Sequence, residues 1–231
     1  NDLEIIKKDY EIIINKIKEG KAHEISEGDT NYLGACTKGA NADSVREQPF
    51  SDELAKQRAF CLKQSYMTYI LNNYMINNNT FEPVIKDSKI LKEQTLEEYV
   101  LNKLSKYYGK TTLELTEELH VDNYSSTSKS FTYNLAKVML NVFKDNIEEF
   151  EKANIQIKAI TLDKNNVPEQ HMSFPTFKYT EIIKESWENS ELYEMFSTTK
   201  YLFMIYQRTP DGKRIFKKAK FWNAPANDIN T

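Results

Sequence analysis

The chain has 231 residues, 40% of them hydrophobic and 28% charged, which describes an ordinary globular protein long enough for one large domain or two small ones. Its apolar runs fall far short of the roughly 20 residues that a membrane-spanning helix needs, and no secretory leader is read, so no membrane partner is expected. The net charge of −3, from 31 basic against 34 acidic residues, offers no molecule-wide attraction to a polyanion, so any nucleic-acid contact has to rest on locally concentrated bases.

From the N-terminus, Leu3, Ile6, Tyr10, Ile13 and Ile17 recur at helical spacing, and Gly20 stands where such a helix would stop. Residues 21–50 are rich in Gly, Asn, Ser and Thr with no surviving period, which predicts a long loop. Ser51 reads as the cap of a helix running to Met75 through Leu54, Phe60, Cys61, Met67 and Leu71, and the Asn77–Asn79 run ends it. Pro83 and mixed charges mark a boundary over 77–94. Thr95 with Glu98 and Thr111 with Glu114 are two capping-box signatures, each opening a short amphipathic helix.

Phe131, Leu135, Val138, Met139 and Val142 predict a further helix, and residues 154–162 alternate as a strand. Residues 177–187 read as helical or irregular, and Tyr201–Gln207 as a buried strand. Thr209-Pro210-Asp211-Gly212 then makes a turn into a basic strand ending at Trp222. Helices that precede a mixed sheet make the class α+β, or mixed α/β. Cys36 and Cys61 lack metal-ligand spacing and are too few for a disulfide framework, which fits a reduced, cytoplasmic setting.

Lys213, Arg214, Lys217, Lys218 and Lys220 place five cations within eight positions, with no acid among them. Such a run serves either as an edge strand whose lysines block aggregation or as a surface for phosphates and base edges. Gly34–Gly39 lacks the preceding strand and the Gly-Lys-Ser/Thr order of a phosphate loop. Cys36 with His23 has no orienting third group, and His120 and His171 have no ligand-spaced neighbours. Tyr66, Tyr69 and Tyr74 read as packing residues before they read as base-stacking ones.

The 154–162 strand bears on catalysis. A magnesium-dependent nuclease needs converging carboxylates, because a hard cation takes oxygen ligands and then activates water, and a nearby lysine stabilises the charged phosphorus centre. Alternate strand residues project from one face, so an acid followed by Glu-x-Lys supplies that set. Here the strand reads Ile155-Gln156-Ile157-Lys158, with Glu149 seven residues before Gln156. The lysine is present and its partner acid is an amide. A half-exposed polar-x-polar strand with no site at all fits the same short pattern.

The stretch Glu148-Glu149-Phe150-Glu151-Lys152-Ala153-Asn154-Ile155-Gln156-Ile157-Lys158 resembles the central segment of the MutH family, in which an Asp-Phe pair leads to Val-Glu-Leu-Lys. Asn134-Leu135-Ala136-Lys137-Val138-Met139-Leu140 resembles that family's metal-supporting helix, with Lys137 in place of its acid. Lys129 falls on a DNA-contacting lysine of the family. The segment from Gly212 to Lys220 before Phe221-Trp222-Asn223-Ala224-Pro225 resembles its recognition loop, which implies DNA contacts from Lys213, Arg214, Lys217, Lys218 and Lys220.

Toward the N-terminus, the stretches from Lys21 to Thr30, Cys36 to Ala42 and Lys56 to Lys63 resemble the second half of GATC-specific type IIE restriction endonucleases of the staphylococcal type. This resemblance implies a MutH-like fold with a central mixed sheet flanked by helices. It divides the chain into a helical N-terminal extension with a long loop over 1–94 and a DNA-binding core over 95–231, truncated at its C-terminus and packed with the extension as one body.

The function it implies is binding of double-stranded DNA at GATC as the allosteric effector domain of a type II restriction endonuclease. No intact catalytic residues are expected, Glu149, Gln156, Lys158 and Lys137 being degenerate positions. No metal or other cofactor is expected for this part, against magnesium for the longer enzyme. The implied partners are the N-terminal catalytic domain of that enzyme and a dimer assembled on DNA. Two alternatives stay open: a magnesium-dependent endonuclease that recruits Glu149 and Asp145, and a protein-docking domain without DNA contact.

Overall fold

The computed structural model describes residues 1–39, 44–75, 80–121 and 129–229. In chain order its elements are α1 (Asp2–Lys18), β1 (Leu33–Thr37), β2 (Val45–Gln48), β3 (Ser51–Lys56), β4 (Arg58–Leu62), α2 (Gln64–Met75), β5 (Phe81–Glu82), α3 (Ile90–Glu93), α4 (Leu96–Ser105), α5 (Thr112–Glu118) and α6 (Lys129–Met139). They continue as β6 (Asn146–Ile147), α7 (Glu148–Ala153), β7 (Ile155–Leu162), α8 (Tyr179–Ile182), α9 (Glu191–Thr198), β8 (Lys200–Arg208), β9 (Arg214–Trp222) and α10 (Ala226–Ile229). The class is α+β, as expected. Among the described residues no helix is long and apolar enough to cross a membrane.

Helix α1 forms where the spacing predicts it and buries Ile5, Asp9 and Ile13 on one face. Gly20 follows it at φ +71°, and a Cβ there would stand 2.5 Å from the Phe50 carbonyl oxygen. Glycine therefore both permits the left-handed turn and lets the β2–β3 connection approach. The buried Asp9 carboxylate accepts the backbone N–H groups of Asn31, Tyr32 and Leu33 at 2.8, 2.7 and 2.9 Å. One side chain thus fixes the chain as it enters β1.

The helix expected over 51–75 forms only from Gln64 onward. Residues 51–62 are instead the strands β3 and β4, and the segment over 21–50 is not one loop but carries β1, β2 and two single 3-10 turns. The N-terminal extension is accordingly mixed rather than helical. β4 pairs antiparallel with β1, from Leu33 against Leu62 to Thr37 against Arg58, and β2 pairs with β3. Pairing of β4 across about 25 positions, and of β3 with the neighbouring β2, satisfied backbone groups that a local helix pattern would have satisfied internally, and local propensity is too weak to resist that. Part of this was in view, since Phe60 and Leu62 alternate with Ala59 and Cys61. The Asn77–Asn79 stop lies outside the described residues.

Both capping boxes form reciprocally. The Thr95 N–H reaches Glu98 Oε2 at 2.7 Å and the Glu98 N–H returns to Thr95 Oγ1 at 3.2 Å. The Thr111–Glu114 pair repeats those distances. The helices they start present Leu96, Val100, Leu104 and Leu115 to the main core.

β7 runs parallel to β8 and β8 antiparallel to β9, so the principal sheet is mixed, with the order β7-β8-β9. Its inner face, with Leu202, Met204, Tyr206, Phe216 and Ala219, meets α4, α5 and α6 in one core that also takes Ile5, Tyr32 and Tyr66 from the N-terminal segment. A satellite core of Ile13, Ala22, Ile25, Ala35 and Ala55 lies under the β1–β4 region.

Candidate nucleic-acid interface

Among the described residues the only strand paired with β7 is β8, and its other edge carries just the Leu162–Pro168 bridge at its C-terminal end, which leaves the rest of that edge without a partner strand. A groove of about 810 Å³ follows that edge. Lys158, Arg208, Lys213, Arg214 and His171 line it, together with the hydroxyl-bearing Thr111, Thr112, Thr132, Thr161 and Ser173. Its one carboxylate, Glu169, is engaged by Arg208 through Nε–Oε1 at 2.5 Å and Nη2–Oε2 at 2.8 Å. That bidentate pair holds the Glu169 carboxyl below its usual range and the Arg208 guanidinium above its own. Lys158, Lys213 and Arg214 therefore face the groove's hydroxyls and backbone without a second acid among its lining residues.

Arg214 is half-buried and its guanidinium lies 4.5 Å from the centre of the Tyr206 ring. Burial lowers its pKa, a shift that leaves an arginine charged at any ordinary pH. The ring and the β8–β9 pairing hold the head group on the inner side of the hairpin. Lys213 is exposed and pairs with Asp211 at 3.0 Å. This exposed pair contributes little to stability, so Lys213 can exchange Asp211 for another anion.

The basic run does not form one surface. Register shifts between Ile205 and Tyr206, so that Ile205 opposes Lys218 while Tyr206 opposes Phe216 and Lys217 is the extra residue. Arg214 is carried toward the groove, whereas Lys218 and Lys220 project from the outer face of the sheet. Lys217 donates to Asn166 Oδ1 at 2.6 Å and Gln207 Oε1 at 3.0 Å on that outer side. The segment from 214 to 222 is a strand, not the loop that the resemblance implied. Lys129 is the first residue of α6 and its side chain lies outside the described residues.

The four degenerate positions are not gathered in one place. Lys158 lines the groove, while Gln156, Glu149 and Lys137 do not. Gln156 sits beside Tyr201 in the parallel ladder, on the same face of β7 as Lys158. Glu149 is buried in the first turn of α7, where its two oxygens accept the N–H groups of Val84 and Ile85 at 2.8 and 3.0 Å. Burial raises its pKa against the pull of those two bonds.

Lys137, which the resemblance puts in place of a metal-supporting acid, caps a turn of the backbone. Its ammonium donates to the carbonyls of Lys144 and Asp145 at 2.9 and 3.1 Å, over the Tyr133 ring. A half-buried ammonium finds its best partners in free carbonyls, and the turn after α6 supplies two of them. Among the described residues no three His, Cys, Asp or Glu side chains converge as a metal ion would require.

Sequence reasoning missed Arg208, Glu169 and the groove threonines. Arg208 had a signal, since it closes the predicted strand just before the predicted turn and so must oppose Arg214 across the hairpin. Glu169 and Thr132 had none, because their placement depends on how distant segments meet. Cys36 and Cys61 are both free thiols, with Cys61 pushed up to about 11 by burial and by Cys36, and His23 bonds Gln48 rather than Cys36.

No known family model matches the chain. It is similar to the type II restriction enzyme Sau3AI of Staphylococcus aureus, with 41% identity over 244 residues that take in 99% of this chain and 49% of that protein. The chain thus spans about half the length of the curated relative it matches, and what it shares is the sequence of one half of a restriction enzyme.

Proposed function

We propose that this chain is a DNA-binding module of a type II restriction endonuclease, built on a MutH-like sheet, which holds double-stranded DNA at GATC without cutting it. The observation that carries this reading is the groove along the free edge of β7, where Lys158, Arg208, Lys213 and Arg214 meet five hydroxyl side chains, Thr112 among them, around a single, already paired carboxylate. Cations with hydroxyls are the groups that bind phosphate oxygens and position a duplex, and an arginine such as Arg214 can hold guanine by two hydrogen bonds. The GATC preference, and the role of effector for a catalytic half of the same enzyme, come from the resemblance to type IIE enzymes. Similarity to half of Sau3AI supports the coarser part of the reading, a kinship with restriction enzymes.

The residues present do not fit a magnesium ion. A hard divalent cation needs several charged oxygens, and here Gln156 offers a neutral one while both Glu149 oxygens are spent on backbone amides. The Asp145 carbonyl receives Lys137, which brings a positive charge to the place from which a second acid would have to come. No hydrolytic step is therefore assigned to this chain.

Fluorescence titration with a GATC duplex and a scrambled duplex of equal length tests the reading. The expected result is tighter binding to GATC, with an affinity that falls steeply as salt rises because bound cations displace counterions. Equal affinity for both duplexes removes the sequence-specific claim. Nicking of plasmid by this chain with magnesium would overturn the non-cutting claim.

A further inference from the structure

The outer face of the principal sheet meets the groove only at its β7 margin, through Lys158 and Ile160, and its β8 and β9 part lies outside the groove. Ladder partners share a face, so the registers define its rows. Gln156, Tyr201 and Trp222 form one row, Lys158, Phe203 and Lys220 the next, and Ile160, Ile205 and Lys218 the third. Helices α4, α5 and α6 pack on the opposite face. Phe203, Ile205, Ile160 and Trp222 remain half-exposed on the outer one.

The aromatic rings there form a platform. Phe203 and Trp222 lie 5.8 Å apart at 22°, and the fully buried Tyr201 backs both, 6.1 Å from Phe203 and 5.9 Å from Trp222. Lys158 and Lys220 flank Phe203 about one strand spacing, roughly 5 Å, to either side. Lys218 and Lys220 are exposed, and among the described residues neither enters an ion pair. An apolar face would be expected to lie under a helix, and a purely cationic face would not hold flat rings at its centre. Rings rimmed by the exposed ammonium groups of Lys218 and Lys220 complement a ligand that is planar and apolar in one part and anionic in the other.

We propose that this face is a second nucleic-acid site, which takes unpaired nucleotides of a single DNA strand by stacking bases on Phe203 and Trp222 and placing phosphates on Lys158, Lys218 and Lys220. In a duplex the bases are stacked on one another and their flat faces are closed to a protein sheet. Only an unpaired strand can present them. The site stands chiefly on Phe203, Trp222, Lys218 and Lys220, none of which lines the groove. It extends the nucleic-acid reading without depending on GATC recognition.

Trp222 is itself the reporter. In a Trp187→Phe background, oligo-dT of twelve nucleotides is titrated against an abasic oligonucleotide of the same length, which keeps the phosphates and lacks the bases. The expected result is quenching of Trp222 by oligo-dT, with affinity at least tenfold above that of the abasic strand, and loss of that advantage in Phe203→Leu. The double variant Lys218→Ala/Lys220→Ala changes only exposed groups and tests the site without risk to the fold. Its log-log salt slope for oligo-dT should fall by about 1.4, the counterion release of two single-strand phosphates.

Equal affinity for the two strands, or a Trp222 signal unmoved by either, overturns the proposal. A Trp222 signal that changes with protein concentration alone also overturns it and assigns the face to a second copy of the chain. Arg214→Gln separates this site from the groove, since it should weaken duplex binding and leave oligo-dT binding unchanged.

Discussion

Lys63, Lys152 and Lys200 carry the same charge in the sequence as Lys213, Lys218 and Lys220, yet the fold treats the two groups in opposite ways. The first three are 4%, 3% and 4% exposed. Lys63 donates to the Thr30 carbonyl at 2.6 Å, and Lys200 to Glu97 at 2.6 Å and Asn31 at 3.0 Å. Lys152 meets Asp2 at 2.8 Å and Glu148 at 2.6 Å among the rings of Tyr32, Tyr66 and Tyr69. The second group keeps its ammonium groups in water. A lysine whose acceptors are built into the interior is spent on holding segments together, and one without them is available to a ligand. Net charge in a stretch of sequence does not distinguish these uses.

Breaking a buried member of the first group should give the largest effect. Lys152→Met removes the buried cation shared by Asp2 and Glu148, and because both carboxylates keep some contact with water the cost lies at the low end for a broken buried pair, about 3 kcal/mol. Urea unfolding reads the loss, and the protein that remains folded should bind duplex DNA with unchanged affinity. A matching loss of affinity would show that the two groups of lysines are not separate.

Lys63 offers a pH test with a definite sign. Burial and the neighbouring Lys200 lower its pKa from 10.5 to about 8 in the folded chain. Between these values the unfolded chain holds the proton that the folded chain has released, so stability rises with pH from about 8 to 10.5 and is lost as pH falls back through 8. The change is on the order of 3 kcal/mol, and Lys63→Met should lack it. Urea midpoints of the two proteins at both ends of that window compare them directly, and parallel pH profiles would contradict the assignment.

In the second group, Arg214→Gln should weaken GATC duplex binding by about 1–3 kcal/mol if the guanidinium reaches a base edge, with equal affinities for GATC and scrambled sites as the companion sign. The smallest effect belongs to Lys218→Ala, which should leave the urea midpoint where it is. A clear shift there would mean that this lysine is structural after all, and the contrast would lose its sharpest member.

Much of the architecture was legible beforehand. The 3.6-residue spacing of α1, the two capping boxes, the alternation of β7 and the hairpin of β8 and β9 all follow from residues close together in sequence. The strand β4 was missed because its partner β1 lies about 25 positions away, and the local β2–β3 pairing was missed because helical spacing was read across it. In the candidate site, Lys158, Lys213 and Arg214 were found because they sit on a strand and beside a turn that could be read. The bulge at Lys217 was not found, and it alone divides the basic run between the groove and the outer face.

Glu149 and Lys137 show the same division on single residues. Their identities, and the amide at Gln156 where the MutH resemblance expects an acid, are matters of sequence. That Glu149 holds the Val84–Ile85 turn and Lys137 the Lys144–Asp145 turn is a matter of tertiary structure. Local sequence determined which segments are helix or strand wherever one periodic face sufficed, and it determined that charge is concentrated near the C-terminus. Only the packed chain decided which charges are spent inside and which remain for a ligand, because desolvation is offset only by partners brought from far along the chain.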